Sequence, residues 1–250
     1  MTSVDDKLFA LLDLDDNQVA VYSINDYQLL CHLHLHGLEG LSAIDITSCV
    51  PYNCLYASDW DNECIHIYDL SSSAVDSVSV PGSPFGLSVT LGSCNLLVTC
   101  QEPSTLVELD ADTGQVVREI TLQSDIESLN HAVQLTSGEH VVCHGYKNDD
   151  LHQVCLIDDE GIVTCSYGGQ RGSDVGQLNV PRHLAVDEDS QCIFVADLDN
   201  NRVVLLSLAL EFVRYVGEGV SRPSRLYFHR TTRRLFVGQL WGDGVAVIQL

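Results

Sequence analysis

The sequence predicts an all-β fold, a six-bladed β-propeller built of four-stranded antiparallel blades. The first observation is a series of short runs in which apolar and polar residues alternate, as in strands that bury one face. The second is that Asp, Asn, Ser and Gly, which favour tight turns, separate these runs. The third is a repeat whose copies begin 42 to 52 residues apart, the length of one blade.

The second strand of each blade and the loop after it identify the repeat. The clearest copy lies in residues 176–204, where three apolar runs are separated by turns at 187–190 and 198–201. Copies of the second strand begin at Leu8, Cys54, Leu96, His140, Cys192 and Leu235. Because one blade cannot bury its faces alone, six copies predict a single ring over residues 1–250. The expected blades are 1–38, 39–80, 81–123, 124–170, 171–218 and 219–250.

The first and last blades lack one strand each in this pattern. Runs before the repeat predict inner strands at 41–48, 84–91, 129–135 and 222–229, and runs after it predict outer strands at 28–35, 74–80, 115–122, 161–167 and 210–216. No run precedes the first copy, and none follows the sixth. Either residues 1–7 supply a closing strand, or the chain is a piece of a longer polypeptide, and we prefer the second explanation. The last blade is expected to be incomplete or closed by a terminus.

Residues 176–187 (GQLNVPRHLAVD) and 200–203 (NNRV) resemble the NHL repeat, as in tripartite-motif NHL proteins and uncharacterised invertebrate NHL-like proteins. The resemblance is sharp only in the fifth copy. It implies that the inner strands start at one face, the top, and that the loops between second and third strands return there. It also implies a structural ion pair between Asp197 and Arg202. Asp13 and Asp59 occupy the position of Asp197, with Gln18 and Cys64 in place of the arginine.

The top-face loops are rich in acidic residues, which would attract a partner with a basic or mixed-charge segment. The residues predicted to contact this protein partner are Asp15, Asp16, Asp61, Asp149, Asp150, Asp199, Trp241 and Asp243. A second explanation is that Asp and Asn are present because they suit tight turns. The starts of the inner strands predict a channel mouth lined by Phe85, Asn130, His131, Arg182, His183 and Arg225.

The charge balance restricts the classes of partner. The net charge is −23, with 35 acidic and 12 basic residues, which disfavours nucleic-acid binding. One basic patch is expected on the last blade, from Arg222, Arg225, Arg230, Arg233 and Arg234. No apolar run is long enough to span a membrane, and the start is acidic where a secretory signal would be basic and apolar. We expect an intracellular, cytoplasmic protein with no obligate oligomer.

The cysteines and one group of histidines admit two explanations each. Most of the ten cysteines lie in apolar runs, where they act as small hydrophobic residues, but Cys49 and Cys54 would face each other across a hairpin, within disulfide reach. The absence of Cys-x-x-Cys gives no support for a structural zinc site. His32, His34 and His36 share one strand face, which is either solvated or a weak metal or pH-sensitive site.

Enzyme ligand sets fit this sequence poorly. The peptide-amidating lyase, which resembles NHL repeats, holds zinc with three histidines, and Phe85, Arg182 and Ser224 stand at the equivalent positions. A lactonase-type calcium site would have only Asn130, with Asp125 and Glu127 nearby in sequence. We therefore predict a non-catalytic interaction scaffold without a cofactor. The alternatives are a metal-dependent propeller enzyme with a divalent cation in its channel, and the substrate-recruiting propeller of a ubiquitin ligase system.

Overall fold

The computed structural model describes residues 1–11, 18–34, 43–217, 219–240 and 244–250. It contains six antiparallel sheets, one for each predicted copy of the repeat. Five sheets have four strands, and the last has three within the described residues. The predicted fold class, an all-β six-bladed propeller with an incomplete last blade, is confirmed.

The strands follow chain order, from the inner strand outwards in each blade. The first three blades contain β1 (Thr2–Val4), β2 (Lys7–Leu11), β3 (Gln18–Ser23) and β4 (Leu29–His34); β5 (Ala43–Cys49), β6 (Cys54–Asp59), β7 (Cys64–Asp69) and β8 (Val75–Ser79); β9 (Pro84–Val89), β10 (Leu96–Cys100), β11 (Thr105–Leu109) and β12 (Val116–Thr121). The last three contain β13 (Leu129–Gln134), β14 (His140–His144), β15 (Leu151–Ile157) and β16 (Val163–Gln170); β17 (Pro181–Asp187), β18 (Cys192–Asp197), β19 (Arg202–Ser207) and β20 (Phe212–Val216); β21 (Pro223–His229), β22 (Arg234–Gln239) and β23 (Val245–Gln249).

Residues 1–7 supply the inner strand that the sequence pattern left unassigned. Strand β1 pairs with β2, so that Thr2 faces Phe9 and Val4 faces Lys7. The seam between blades 1 and 6 is closed by side chains: the hydroxyl of Ser3 hydrogen-bonds that of Tyr227, and the rings of Tyr27 and Phe236 lie 5.9 Å apart. Ring closure in the described residues therefore relies on packing between blades rather than on strand exchange.

The core consists of six apolar layers, one between each pair of neighbouring blades. Each layer is formed by the alternate, inward-facing residues of two sheets, as expected for strands with a period of two. Val98, for example, is fully buried between blades 2 and 3, and Val142 between blades 3 and 4. The blades are thus held rigidly, and their loops are presented from a fixed frame.

A β-bulge interrupts the pairing of five inner strands, β5, β9, β13, β17 and β21, near their starts. A bulge turns side chains away from the regular alternation, and here it directs them to the channel. At this level the inner strands also approach closely. A Cβ added to Gly86 would lie 2.4 Å from the carbonyl oxygen of Asn130, so that only glycine fits. The channel mouth expected from the sequence therefore coincides with the bulged starts of the inner strands.

Two further sequence predictions concern a disulfide bond and membrane-spanning segments. Cys49 and Cys54 are cross-strand partners, as the hairpin predicted, but both are free thiols, as are the other eight cysteines. Within the described residues, no helix has the length and apolar character that crossing a membrane requires.

Candidate functional site

Several predicted site residues lie outside the described part of the chain. These are Asp13, Asp15, Asp16, Trp241 and Asp243. The same holds for His36 and for the side chain of His34, whereas His32 is exposed.

The described acidic residues of the top face divide into two groups. Asp61 and Asp150 are exposed. Asp149 accepts a hydrogen bond from the backbone N–H of Tyr146 at 2.6 Å, and Asp199 lies 3.1 Å from Arg222. Turn formation and local pairing thus explain the second group. They do not explain why Asp150 faces solvent.

Asp197 is buried and holds the top loop of blade 5 to its strands. Its carboxylate accepts hydrogen bonds from Arg202 Nε and from the backbone N–H of Asn179, both at 2.7 Å. Arg202 continues to the backbone carbonyl of Gln177 at 2.9 Å. Burial raises the pKa of Asp197, although hydrogen bonds from Asn179, Asn200 and Arg202 work in the opposite direction. The pair joins the strands to the entry loop, which is the structural role that the NHL resemblance implied.

Blade 2 builds the same turn with different side chains. Asp59 again accepts a hydrogen bond from an asparagine three residues on, Asn62, at 2.8 Å. The arginine position is occupied by Cys64, and His66, the next residue on that strand face, takes over the ion-pair position with its Nε2 2.9 Å from Asp59 Oδ2. Cys64 Sγ lies 3.5 Å from the same Nε2. We call Asp59, Cys64 and His66 the rim cluster.

The electrostatic setting of Asp59 differs from that of Asp197. Burial opposes its ionisation, but hydrogen bonds from His66 and Asn62 outweigh burial, so the pKa of Asp59 is lowered. Sequence reasoning missed His66, because it compared only the position five residues after the aspartate. The signal was present in the alternation of the strand, since residues 64 and 66 share one face.

Asn130 has a structural role at the channel mouth. It is only 1% exposed. Its amide nitrogen donates to the carbonyl of Gly145 at 3.1 Å and to that of Pro181 at 2.9 Å, while its Oδ1 accepts from Gln101 at 3.3 Å. The side chain therefore connects blades 3, 4 and 5 and has little capacity left for a ligand.

Asp45 is a buried carboxylate that is bonded by residues of several blades. Its Oδ1 lies 2.9 Å from Arg225 Nε and accepts from the N–H of Ile46 at 2.9 Å. Its Oδ2 accepts from the N–H of Leu87 at 3.0 Å and lies 3.4 Å from His183 Nε2. The sequence analysis missed this residue, although an aspartate between two isoleucines of an inner strand was a usable signal.

The charges around Asp45 neutralise one another. Burial works against its charge, but Arg225, the amino group of Met1 and His183 hold the pKa of Asp45 well below its ordinary value. The amino group of Met1 lies 3.6 Å from Oδ1. Arg225 itself is buried and also donates to the carbonyl oxygens of Ser224 and Ile44. Its hydrogen bonds are directed inwards, so it is a structural counter-ion.

His131 and His183 stack in the channel with ring centroids 3.7 Å apart. His131 Nε2 faces the carbonyl oxygen of Leu87 at 3.2 Å, whereas His183 Nδ1 accepts from the N–H of Leu226 at 3.4 Å. These partners place the proton on Nε2 in both rings. Burial lowers the pKa of His183 to about 4 and that of His131 well below its usual value. Both rings are therefore neutral at physiological pH.

Asp45, His131 and His183 form a second group of ligand-type side chains, with one potential ligand atom each within 4.8 Å of the others. We call it the channel cluster. A cation does not fit this set, because both Nε2 atoms carry protons, the carboxylate is saturated with donors, and Arg225 repels positive charge. The residues considered for a lactonase-type calcium site are not brought together either, since Asp125 and Glu127 are exposed while Asn130 is buried.

Arg182 differs from its neighbours at the mouth. Its side chain is partly exposed and its guanidinium lies 4.0 Å from the centre of the buried Phe85 ring. Within the described residues no carboxylate approaches this guanidinium to ion-pair distance. Burial, followed by the charge of Arg225, lowers the pKa of Arg182 to about 9, so it remains a cation at neutral pH.

The five arginines of the last blade do not form one patch, contrary to the prediction from their clustering in sequence. Arg222 lies at the top face beside Asp199, and Arg225 is buried in the channel. Arg230 and Arg233 lie in the turn between β21 and β22 at the opposite face, where Arg233 pairs with Asp187. These residues are close in sequence but lie apart, because Arg222 and the turn with Arg230 and Arg233 are at opposite ends of β21, with Arg225 between them.

No family model and no curated protein matches this chain. Solved structures do match it, at low identity. A chain of the nidogen/laminin complex is 17% identical, with a TM-score of 0.75 over 98% of this chain and 89% of that one. Hydrazine synthase of Kuenenia stuttgartiensis is 14% identical, with a TM-score of 0.72 over 100% and 94%.

A lyase is also among these matches. A catalytically inactive virginiamycin B lyase from Staphylococcus aureus, solved with quinupristin, is 11% identical, with a TM-score of 0.67 over 99% of this chain and 82% of that one. At such identities the similarity concerns the fold alone, and one fold carries unrelated functions. The comparisons therefore establish a β-propeller, and function has to be argued from the site.

Proposed function

We propose that this chain is a non-catalytic binding platform of the NHL type that holds a protein partner on its top face. The observation that carries the proposal is Arg182, a cation at the channel mouth without a carboxylate partner in the described residues. An arginine that is partly shielded from water and has no counter-charge destabilises a protein, so its place in the fold needs a reason. A carboxylate from a partner would supply the missing charge with directed hydrogen bonds.

The loops expected at the same top face carry exposed acidic residues. Asp61, Asp125 and Asp150 are exposed in three loops, with Lys147 and Arg171 as exposed cations. A partner segment with an acidic residue at the mouth would complement the positive charge of Arg182, and basic residues on either side of it would complement the acidic loops. This is the mixed-charge segment that the composition predicted, with the acidic anchor added.

The channel chemistry supports a binding role over a catalytic one. His131, His183 and Asp45 are buried and bonded to one another or to the backbone, so none of these three presents a general base or nucleophile to a substrate at the mouth. The matched chain of the nidogen/laminin complex belongs to an assembly of proteins, and protein binding is compatible with this fold. The rigid frame of blades would present the loops with little entropy loss.

Selection of peptides tests the proposal. We expect a random peptide display library, panned on the immobilised protein, to enrich segments with a carboxylate flanked by lysine or arginine. A peptide with an enriched sequence is then synthesised. It should bind Arg182→Met, which keeps the contact with Phe85, at least about tenfold more weakly than the wild type, since a charge-assisted pair is lost. Fluorescence anisotropy measures both affinities.

Controls separate the anchor from the surrounding field. Arg182→Lys should retain part of the affinity, and Asp125→Lys with Asp150→Lys should weaken binding mainly at low salt, since exposed charges are screened. All variants should melt as the wild type does. Peptides that bind Arg182→Met as tightly as the wild type, or a failure to enrich any peptide, would overturn the proposal.

A further inference from the structure

The rim cluster has a chemistry that partner binding does not use. Asp59 and Cys64 are cross-strand partners at the end of the β6–β7 hairpin, and His66 follows on the same face of β7. The three residues offer one oxygen, one sulfur and one nitrogen, all within 4.8 Å of one another. Hairpin geometry alone thus brings together three different ligand types without a Cys-x-x-Cys motif.

We infer that Asp59, Cys64 and His66 form a binding site for a zinc-type divalent cation at the top rim of blade 2. Zinc prefers tetrahedral sets of sulfur, nitrogen and oxygen, with bonds of about 2.0 to 2.3 Å, which places bound sulfur and nitrogen about 3.5 Å apart. Cys64 Sγ and His66 Nε2 are 3.5 Å apart. Asp59 Oδ2 and His66 Nε2 are 2.9 Å apart and need to separate by only a few tenths of an ångström.

The ligand types select the class of metal. Calcium and magnesium require several oxygen ligands, and the rim cluster offers one carboxylate. A thiolate together with an imidazole selects zinc and similar borderline ions. Three protein ligands leave one coordination position for solvent or for a group from a bound molecule, as in open zinc sites.

The surroundings of the rim cluster favour a cation. Asn62 donates to both oxygens of Asp59, from its backbone N–H at 3.1 Å and its side chain at 2.8 Å, and so fixes the orientation of the carboxylate. Such outer contacts keep ligands in place for a metal. Within the described residues Asp59 forms no ion pair with arginine or lysine, so the metal displaces no fixed charge. Cys64 has to lose its thiol proton, although burial and the charge of Asp59 raise its pKa, and His66 Nε2 has to offer its lone pair. The side chain of His66 is 14% exposed, which gives solvent access.

The repeat itself indicates what the site replaces. In blade 5 the equivalent aspartate, Asp197, is held by Arg202, whose positive charge is part of the side chain. Blade 2 has no arginine at that position, and a metal ion bound to Cys64 and His66 would provide the missing positive charge. The metal would then fix the top loop of blade 2 in the way that Arg202 fixes that of blade 5.

Cobalt(II) is the probe for the test, because a bound thiolate gives it a near-ultraviolet charge-transfer band and tetrahedral geometry gives it intense visible bands. Protein without an affinity-tag histidine run is treated with a chelator, dialysed and titrated with cobalt(II), which zinc(II) then displaces. We expect one equivalent to bind with both signatures. Cys64→Ser should abolish the charge-transfer band and weaken binding at least about 100-fold, and His66→Gln should weaken it at least about tenfold.

Cys192→Ser is the matched control, since Cys192, like Cys64, is a strand cysteine; it is partly buried, with its thiol near the carbonyl of Ser190. It should leave the spectrum and the affinity unchanged. Circular dichroism establishes that each variant is folded. The inference is overturned if the wild type shows no charge-transfer band, or if folded Cys64→Ser or His66→Gln retains it at the same affinity. If one variant fails to fold, the other and the wild-type titration still decide.

Discussion

The channel cluster and the rim cluster contain similar side chains in opposite environments. Each has an aspartate whose ionised form is favoured and a histidine within 3.4 Å of it. In the channel, Asp45 is surrounded by Arg225 and backbone donors, and both imidazoles present protons. At the rim, Asp59 is close to a thiol and an accessible imidazole. The comparison indicates that neighbouring charges and proton positions decide whether such a group only stabilises the fold or is also able to bind a cation.

The largest expected effect comes from removing the centre of the channel cluster. Asp45→Ala leaves Arg225 buried without its counter-ion and two backbone N–H groups without acceptors, which should lower the free energy of unfolding by about 4 kcal/mol. Chemical denaturation measures this value. Asp125→Ala, an exposed aspartate, is the control and should change it by less than about 0.5 kcal/mol. If Asp45→Ala lowers the free energy of unfolding by less than about 1 kcal/mol, the channel cluster does not stabilise the fold in the way proposed.

Acid should separate the two clusters. Burial lowers the folded pKa of His183 from the usual 6.5 to about 4; Asp45 acts in the opposite direction, while Arg225 and the amino group of Met1 lower it further. A histidine with a lowered folded pKa stabilises the fold fully above pH 6.5 and loses this contribution as pH falls towards 4, by about 3 kcal/mol. Asp59, whose folded pKa is lowered, contributes above its usual pKa of 3.8 and loses this only at lower pH.

Melting curves between pH 7 and 4 measure the acid effect. The melting temperature should fall steadily over this window, and His183→Gln should flatten the decline. A decline that is equally steep in folded His183→Gln would assign it to other groups, such as the buried His140, His144 and His152.

The smaller effects compare the aspartate of blade 5 with that of blade 2. Asp197→Ala removes the partner of Arg202 and should cost about 3 kcal/mol, because a largely buried charge is left unpaired. Asp59→Ala removes hydrogen bonds from His66 and Asn62 in the metal-free protein and should cost about 1 kcal/mol. Asp199→Ala, which breaks a more exposed pair with Arg222, should cost less than about 1 kcal/mol. Equal costs at residues 59 and 197 would contradict the structural distinction between the two turns.

The sequence predicted the fold because strand alternation and turn residues are local and recur six times. The NHL resemblance implied the pair of Asp197 and Arg202, and the two residues do meet, since both belong to one hairpin. The network of Asp45 was missed because its partners come from blades 1, 2, 3, 5 and 6 and meet only when the ring is closed. Sequence neighbours likewise suggested a basic patch that strand geometry divides between two faces.

The channel mouth was predicted as a set, but its members differ in role for a physical reason. A bulge directs each side chain to the channel, yet hydrogen-bond partners decide which side chain remains available. Asn130 is satisfied by three neighbours, whereas Arg182 has an aromatic ring beside it and no carboxylate in the described residues. Composition and spacing carry no information about this difference.

The seam between blades 1 and 6 has a consequence for the order of folding. Contacts within a blade join residues that are near in sequence, whereas the bond between Ser3 and Tyr227 spans 224 residues. The entropic cost of closing that loop, expressed as a free energy, is about 1.5 kcal/mol greater than for a loop of 42 residues. That is the shortest distance between successive copies of the repeat. Blades should therefore form early and the seam last. In the native protein, the same seam should be where amide hydrogens of β1 and β23 exchange first, as a reversible gap in an otherwise continuous ring.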